Sequence, residues 1–183
     1  SLRMSRLIDA LLGLDRHARQ RLQRSKIDLS TLAQSLLLQL QQGEAAHPVT
    51  IEIQPGLSTE ADPSLCHELL WQLLSNAWKF TRQRPDARIS LHRVGNDDPP
   101  LFCLADNGIG FDMAFGHKLF RVFSRLHTPG KDDGIGMGLA VVQTIVDRHG
   151  GRIWADAEEG KGAAFYFSLE PQANHSESGK PAV

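Results

Sequence analysis

Leu101-Phe102-Cys103-Leu104-Ala105 followed by Asp106-Asn107-Gly108-Ile109-Gly110-Phe111-Asp112 is the stretch around which the chain is organised. The apolar run has the length and composition of a buried strand, and it ends in a carboxylate and two glycines spaced by one residue. Such a strand delivers an acceptor to a pocket and then turns with no side chain in the way. Gly108 and Gly110 can take φ > 0 and admit close approach to the backbone. Alone, DxGxG also describes an ordinary acidic turn. Its neighbours in sequence decide between the two.

Upstream, Asp62-Pro63 starts a helix, with a capping carboxylate and a proline where the missing N–H does no harm. The spacing predicts that this helix runs to about Thr81. At ~100° per residue, Glu68, Gln72, Asn76 and Lys79 fall within an arc of roughly 80°. Leu69, Leu70, Leu73, Leu74, Ala77 and Phe80 take the other side, with Trp71 and Trp78 at its margin. A solvated face is usually wide and charged, whereas this one is a narrow stripe of two amides, a carboxylate and an ammonium. Amide oxygens are hard ligands suited to Mg²⁺, and a lysine one turn on suits a phosphate oxygen.

Downstream, Gly134, Gly136 and Gly138 alternate and open into the helical pattern Leu139, Val142, Ile145, Val146. A glycine-rich loop feeding a helix N-terminus is an anion site, with free N–H groups and the positive dipole end aimed together. It lacks the lysine of a phosphate-binding GxxxxGK[ST] loop, and no short strand delivers it as in a dinucleotide fold. Dense glycine there also fits a lid that closes over a ligand.

The rest of the chain supplies a frame. Its 183 residues bound it to one mid-sized domain, or one with an appendage. A net charge of −1 gives no electrostatic case for nucleic acid or a membrane surface. Cys66 and Cys103, both in apolar-periodic segments, read as reduced core residues of a cytosolic protein. No transmembrane stretch or signal peptide is legible, and the opening Ser1-Leu2 reads as that of a fragment. Met4, Leu7, Leu11, Leu14 and Ala18 form a coiled-coil seam over 3–24 that needs a partner helix. A helix over 29–42 follows, with Asp28 and Ser30 as capping candidates. Strands are expected near 49–53, 87–94, 100–105, 152–157 and 163–169. A short helix is expected near 116–123, a helix at 137–149, and disorder beyond Glu170.

Four motifs in order resemble the catalytic ATP-binding domain of two-component sensor histidine kinases, within the superfamily that also holds gyrase, Hsp90 and MutL. Leu73 to Thr81 resembles the N box, Asp106 to Asp112 the G1 box, Lys118 to Phe123 the F box, and Gly134 to Ala140 the G2 box. NAWKFT, FDMAFGHKLFRVFSRLH and HGGRIWADAEEGKGAAFYFSL are most like bacteriophytochrome-type and PAS-linked kinases. The resemblance covers about 28–170. It implies an α/β sandwich of the Bergerat type, a mixed sheet with helices on one face. It divides the chain into 1–26, the second helix of a dimerisation and phosphotransfer hairpin, 27–170, the catalytic domain, and 171–183, a tail.

The resemblance also implies roles. Asn76 ligates Mg²⁺, with Gln72 beside it; Lys79 and Arg125 meet phosphate oxygens. Asp106 accepts from the adenine amino group. Gly108, Ile109 and Gly110 adjoin the base, as does Phe80. Gly134, Gly136, Met137, Gly138 and Leu139 wrap the phosphates. The implied cofactors are ATP and Mg²⁺. The implied partners are a hairpin of the same or a partner subunit, a response regulator, and a second copy in a full-length homodimer. The implied location is a cytoplasmic domain of a soluble or membrane-anchored parent. None of the eight histidines is followed by the acidic residue and proline of a phospho-acceptor, so the acceptor is expected outside this chain. Three positions depart from the family pattern. Gln72 stands where many relatives carry asparagine, the stretch Thr128 to Asp133 is unusually polar, and Ala163 lacks a hydroxyl common near the adenine. A serine kinase of the same superfamily and a nucleotide-binding module without phosphotransfer remain as alternatives.

Overall fold

The computed structural model describes residues 21–43, 47–121 and 137–171. The seam at 3–20, the loop with Arg125, Gly134 and Gly136, and the tail from 172 lie outside the described residues. Residues 21–24, expected at the end of the first helix, are not helical and lead into a strand.

In chain order the elements are β1 (Ser25–Asp28), α1 (Leu29–Gln41), β2 (Thr50–Ile53), β3 (Ser58–Ala61), α2 (Pro63–Phe80), β4 (Arg88–Val94) and β5 (Leu101–Asp106). A 3-10 helix (Met113–Lys118), α3 (Gly138–His149), β6 (Arg152–Glu158) and β7 (Gly162–Ser168) complete it. The main sheet runs β2-β4-β5-β7-β6. Only β2 and β4 are parallel, so it is the mixed sheet expected. Its register puts Ile51, Ile53, Ile89, Leu91, Phe102, Leu104, Phe165 and Phe167 on one face, where they join the core with α1, α2 and α3. Phe102 and Phe167 stand opposite each other with ring centroids 5.6 Å apart. On the other face Trp154 stacks on Tyr166 at 5.2 Å. Cys66 and Cys103 are both free and buried, as expected.

Local chemistry sets the helix ends. Asp28 caps α1, accepting from the Thr31 N–H at 2.9 Å. Ser30, the other capping candidate, instead donates to Gln54 O at 2.7 Å and accepts from the Leu57 N–H at 2.9 Å. Asp62 caps α2 through the Ser64 and Leu65 N–H groups, with Pro63 in the first turn. Gly150 ends α3 at φ +71°, the left-handed conformation that glycine adopts without penalty. The short helix begins earlier than expected because Asp112 accepts from the Ala114 N–H at 2.8 Å and caps it there. A two-stranded sheet of β1 and β3, absent from the sequence reading, closes the pole at which α2 begins.

At that pole Arg24 gathers three chain segments. Its guanidinium donates to Glu60 O, Leu169 O and His149 O, at 3.0, 3.0 and 2.6 Å. His149 is fully buried. Its Nδ1 lies 2.7 Å from Ile145 O, which can only accept, so the proton sits on Nδ1. Nε2 then accepts from the Asp62 N–H at 3.0 Å. Burial pushes the imidazole pKa below its usual value, aided by Arg24 and Arg148 and opposed by the Ile145 bond and Asp62. A depressed histidine pKa contributes stability that is present above about pH 6.5 and lost as pH falls through the folded-state value. We expect His149→Phe to destabilise the domain by about 1–3 kcal/mol at pH 7.5, because the Asp62 N–H loses its acceptor. Urea unfolding of the two chains checks this, and their difference should shrink below pH 6.

Candidate nucleotide site

Asp106 ends β5 on the helix-facing side of the sheet, opposite Ile89 of β4 and Ala163 of β7. It accepts from the Gly108 N–H at 2.8 Å. Burial raises its pKa to about 6, against the lowering effect of the Gly108 and Ala163 N–H groups. A carboxylate held this way is costly to ionise.

The loop after it is braced on both sides. Asn107 Oδ1 accepts from the Arg88 N–H at 2.7 Å, and its Nδ2 donates to Asp86 O at 2.8 Å. The Ile109 N–H donates to Phe80 O at 3.2 Å, which ties the loop to the end of α2. The Gly160 N–H donates to Ile109 O at 2.7 Å, which ties it to the β6–β7 turn.

Gly108 and Gly110 are closely packed by the protein's own backbone on the side where a Cβ would stand. A Cβ on Gly108 would sit 2.6 Å from Phe80 O and 2.8 Å from Asp106 Oδ1. A Cβ on Gly110, at φ +60°, would overlap Glu158 O. The space beside both is filled by this protein's own atoms, so they are needed to assemble the loop. Gly162, at φ +111°, packs against Asp106 O in the same way. Neither Asn107 nor Gly162 was assigned a role from sequence; the only legible signal was a glycine opening a strand across from the carboxylate.

The polar stripe of α2 is half-buried throughout at Glu68, Gln72, Asn76 and Lys79. Gln72 Nε2 donates to Glu68 Oε1 at 2.7 Å. A Cβ on Gly138, at the start of α3, would overlap Gln72 Oε1, so the stripe and the first turn of α3 face each other. Lys79 Nζ lies 5.1 Å from the centroid of the Phe80 ring, a cation–π distance. Met137 is buried and Leu139 half-buried beside Gly138, while Ile109 is exposed. The structure therefore brings together Gln72 with Gly138, and Phe80 with Gly108 and Ile109. Arg125, Gly134 and Gly136 lie outside the described residues. Among the described residues no three His, Cys, Asp or Glu side chains group as a metal cluster, and the oxygen donors on the α2 stripe are the Gln72 and Asn76 amides and the Glu68 carboxylate.

Residues 61–173 match the model of the family described as histidine kinase-, DNA gyrase B-, and HSP90-like ATPase. The chain belongs to that family. The matched span runs from the end of β3 past β7 and contains the α2 stripe, the β5 loop and α3. Among curated proteins, cyanobacterial phytochrome A of Nostoc sp. strain PCC 7120 is 34% identical over 91% of this chain and 22% of its own length. Phytochrome-like protein Cph1 of Synechocystis sp. is 31% identical over the same shares, 91% and 22%. The sensor protein kinase WalK of Staphylococcus aureus is 35% identical over 61% of this chain and 27% of its own length. The chain thus spans about a fifth to a quarter of these relatives.

Solved structures agree on the fold of this ATPase-family domain. The mycobacterial sensor histidine kinase MprB superposes with a TM-score of 0.65 at 23% identity, over 78% of this chain and 95% of that one. Full-length ShkA in complex with AMPPNP gives 0.70 at 24% identity, over 88% and 34%. No described helix is long and apolar enough to cross a membrane.

Proposed function

We propose that this domain binds ATP with Mg²⁺ and serves as the kinase part of a sensor histidine kinase. The phosphoryl group would go to a histidine outside this chain and then to a response-regulator aspartate. The observation that carries this reading is the half-buried Asp106, braced by the Gly108 N–H at 2.8 Å on the helix-facing side of the sheet. Adenine offers an amino donor to such a carboxylate. Guanine offers a carbonyl at the equivalent ring position, which would oppose acceptor to acceptor. The similarity of most of the chain to phytochromes and of 61% of it to a sensor kinase supports the class of reaction.

Asn76 and Gln72 are the residues that would hold the metal, since hard, neutral oxygens suit a small dication whose remaining ligands are water and phosphate. When bound, Mg²⁺ supplies neutralisation of phosphate charge. Lys79 adds a fixed positive charge at the same end of α2, and by family resemblance Arg125 and the glycines at 134, 136 and 138 close over the phosphates. In the transfer, the bond from the γ-phosphorus to the bridging oxygen breaks, a phosphorus–nitrogen bond forms on the acceptor imidazole, and ADP leaves. The domain itself does little covalent work. It positions and neutralises. Partners follow from that chemistry: a histidine-bearing hairpin, which the apolar seam from Met4 to Ala18 would join, and a homodimer of the full-length protein.

Asp106 must be ionised to accept well from the base. Its pKa of about 6 therefore predicts that ADP affinity is constant above pH 7 and weakens as pH falls through 6. The same raised pKa makes Asp106 favour folding below pH 4, a contribution lost as pH rises through 6, opposite in sign to that of His149. Calorimetric titrations between pH 5 and 8 check the binding effect. The transfer step is tested by incubating the domain with labelled ATP and a separately supplied hairpin carrying the acceptor histidine. Acid-labile label on the hairpin is expected; ATP binding with no label transferred would favour a binding module instead.

A further inference from the structure

Glu68 has no role in the reading above, yet it fixes the side chain that does. An ionised carboxylate is an acceptor only, so the Gln72 amide must turn its NH₂ toward Glu68. That bond is 2.7 Å, and both residues are half-buried. The amide oxygen is thereby turned the other way, onto Gly138 at the start of α3. The first turn of α3 has no side-chain cap, because Met137 precedes it and makes no such bond. Were the amide to rotate, its NH₂ would face the same helix start and any cation near it, donors against positive charge. As a plain i,i+4 pair this contact would be worth a few tenths of a kcal/mol to the helix and nothing more.

We propose that Glu68 is a positioning residue for the metal end of the site, holding Gln72 so that its oxygen, not its NH₂, is presented beside Asn76 and the start of α3. This rests on the Mg²⁺–nucleotide reading. Gly138 belongs to the same device, since any side chain there would displace the oxygen.

The test measures ADP affinity by calorimetry with Mg²⁺ and with EDTA, in the parent chain, Glu68→Ala and Glu68→Gln. Residues that orient a metal's ligands typically carry at least a tenfold effect, so Glu68→Ala should reduce the magnesium-dependent gain in affinity by about 10-fold. The affinity in EDTA should not change. Glu68→Gln can accept the same bond but can also donate to a turned Gln72 amide, so it should recover only part of the gain. Equal magnesium dependence in Glu68→Ala and the parent overturns the proposal. So does an affinity in EDTA that falls in Glu68→Ala as far as the affinity with Mg²⁺, which would point to a general loss of the site and not to orientation of a metal ligand. If the parent shows no magnesium-dependent gain, the nucleotide reading itself fails, and that result is distinct from both.

Discussion

Asp106→Ala is expected to weaken ATP and ADP binding by about 100-fold while the domain stays folded. A hydrogen bond to a charged group in a half-buried site contributes about 1.5–3 kcal/mol, and its loss leaves the base's amino group desolvated without a partner. The fold should survive because the carboxylate is a burden on it at neutral pH: burial raises its pKa to about 6, so ionising it in place opposes folding. Against that relief stands the loss of what the carboxylate accepts from the Gly108 and Ala163 N–H groups. We therefore expect thermal unfolding at pH 7.5 close to that of the parent, beside a near-complete loss of binding heat. Asp106→Asn should be a sharper probe. It keeps an acceptor but adds a donor, so discrimination between ADP and GDP should narrow. A variant that binds as well as the parent would remove Asp106 from the site.

The second large effect is on stability and comes from Gly110. Two glycines with similar backbone angles, Gly110 at φ +60° and Gly160 at φ +76°, should respond very differently to alanine. Left-handed backbone costs an L-residue about 1–2 kcal/mol wherever it occurs. At Gly160 nothing lies within 4 Å of an added Cβ, so the cost should stop there. At Gly110 the new methyl would overlap Glu158 O and sit 2.8 Å from Gly162 O, both backbone. The β6–β7 turn would have to move away, breaking the bond from the Gly160 N–H to Ile109 O. We expect about 4 kcal/mol or more for Gly110→Ala, in the range reserved for backbone clashes in packed structure. Urea denaturation of both variants checks the contrast. Equal losses would mean that the turn is free to shift.

These two cases show what was legible in the sequence. Asp106 could be read because its signal is local: an apolar run, a carboxylate, then glycines. The same is true of Asp62-Pro63 and of the leucine pattern of α2, where the cap, the proline and the helical period coincide. Gly110 could be read as a position of positive φ and close approach, but not for what approaches, since the atoms that crowd it lie near residue 160, about fifty positions on. β1 and β3 were missed for a similar cause. SKID and STEA carry no alternating apolar pattern, and it is their pairing with each other that makes them strands. The role of Arg24 had no local signal, because its partners, Glu60, His149 and Leu169, come from three separate parts of the chain. The early start of the 3-10 helix was legible in principle, because Asp112 is a capping residue.

The most direct test is calorimetric titration of the folded chain with ATP and with ADP at pH 7.5, with and without Mg²⁺. The account predicts saturable binding of both nucleotides at one site per chain, strengthened by Mg²⁺ and lost in Asp106→Ala. A folded chain that gives no binding heat with either nucleotide, with or without the metal, would contradict it.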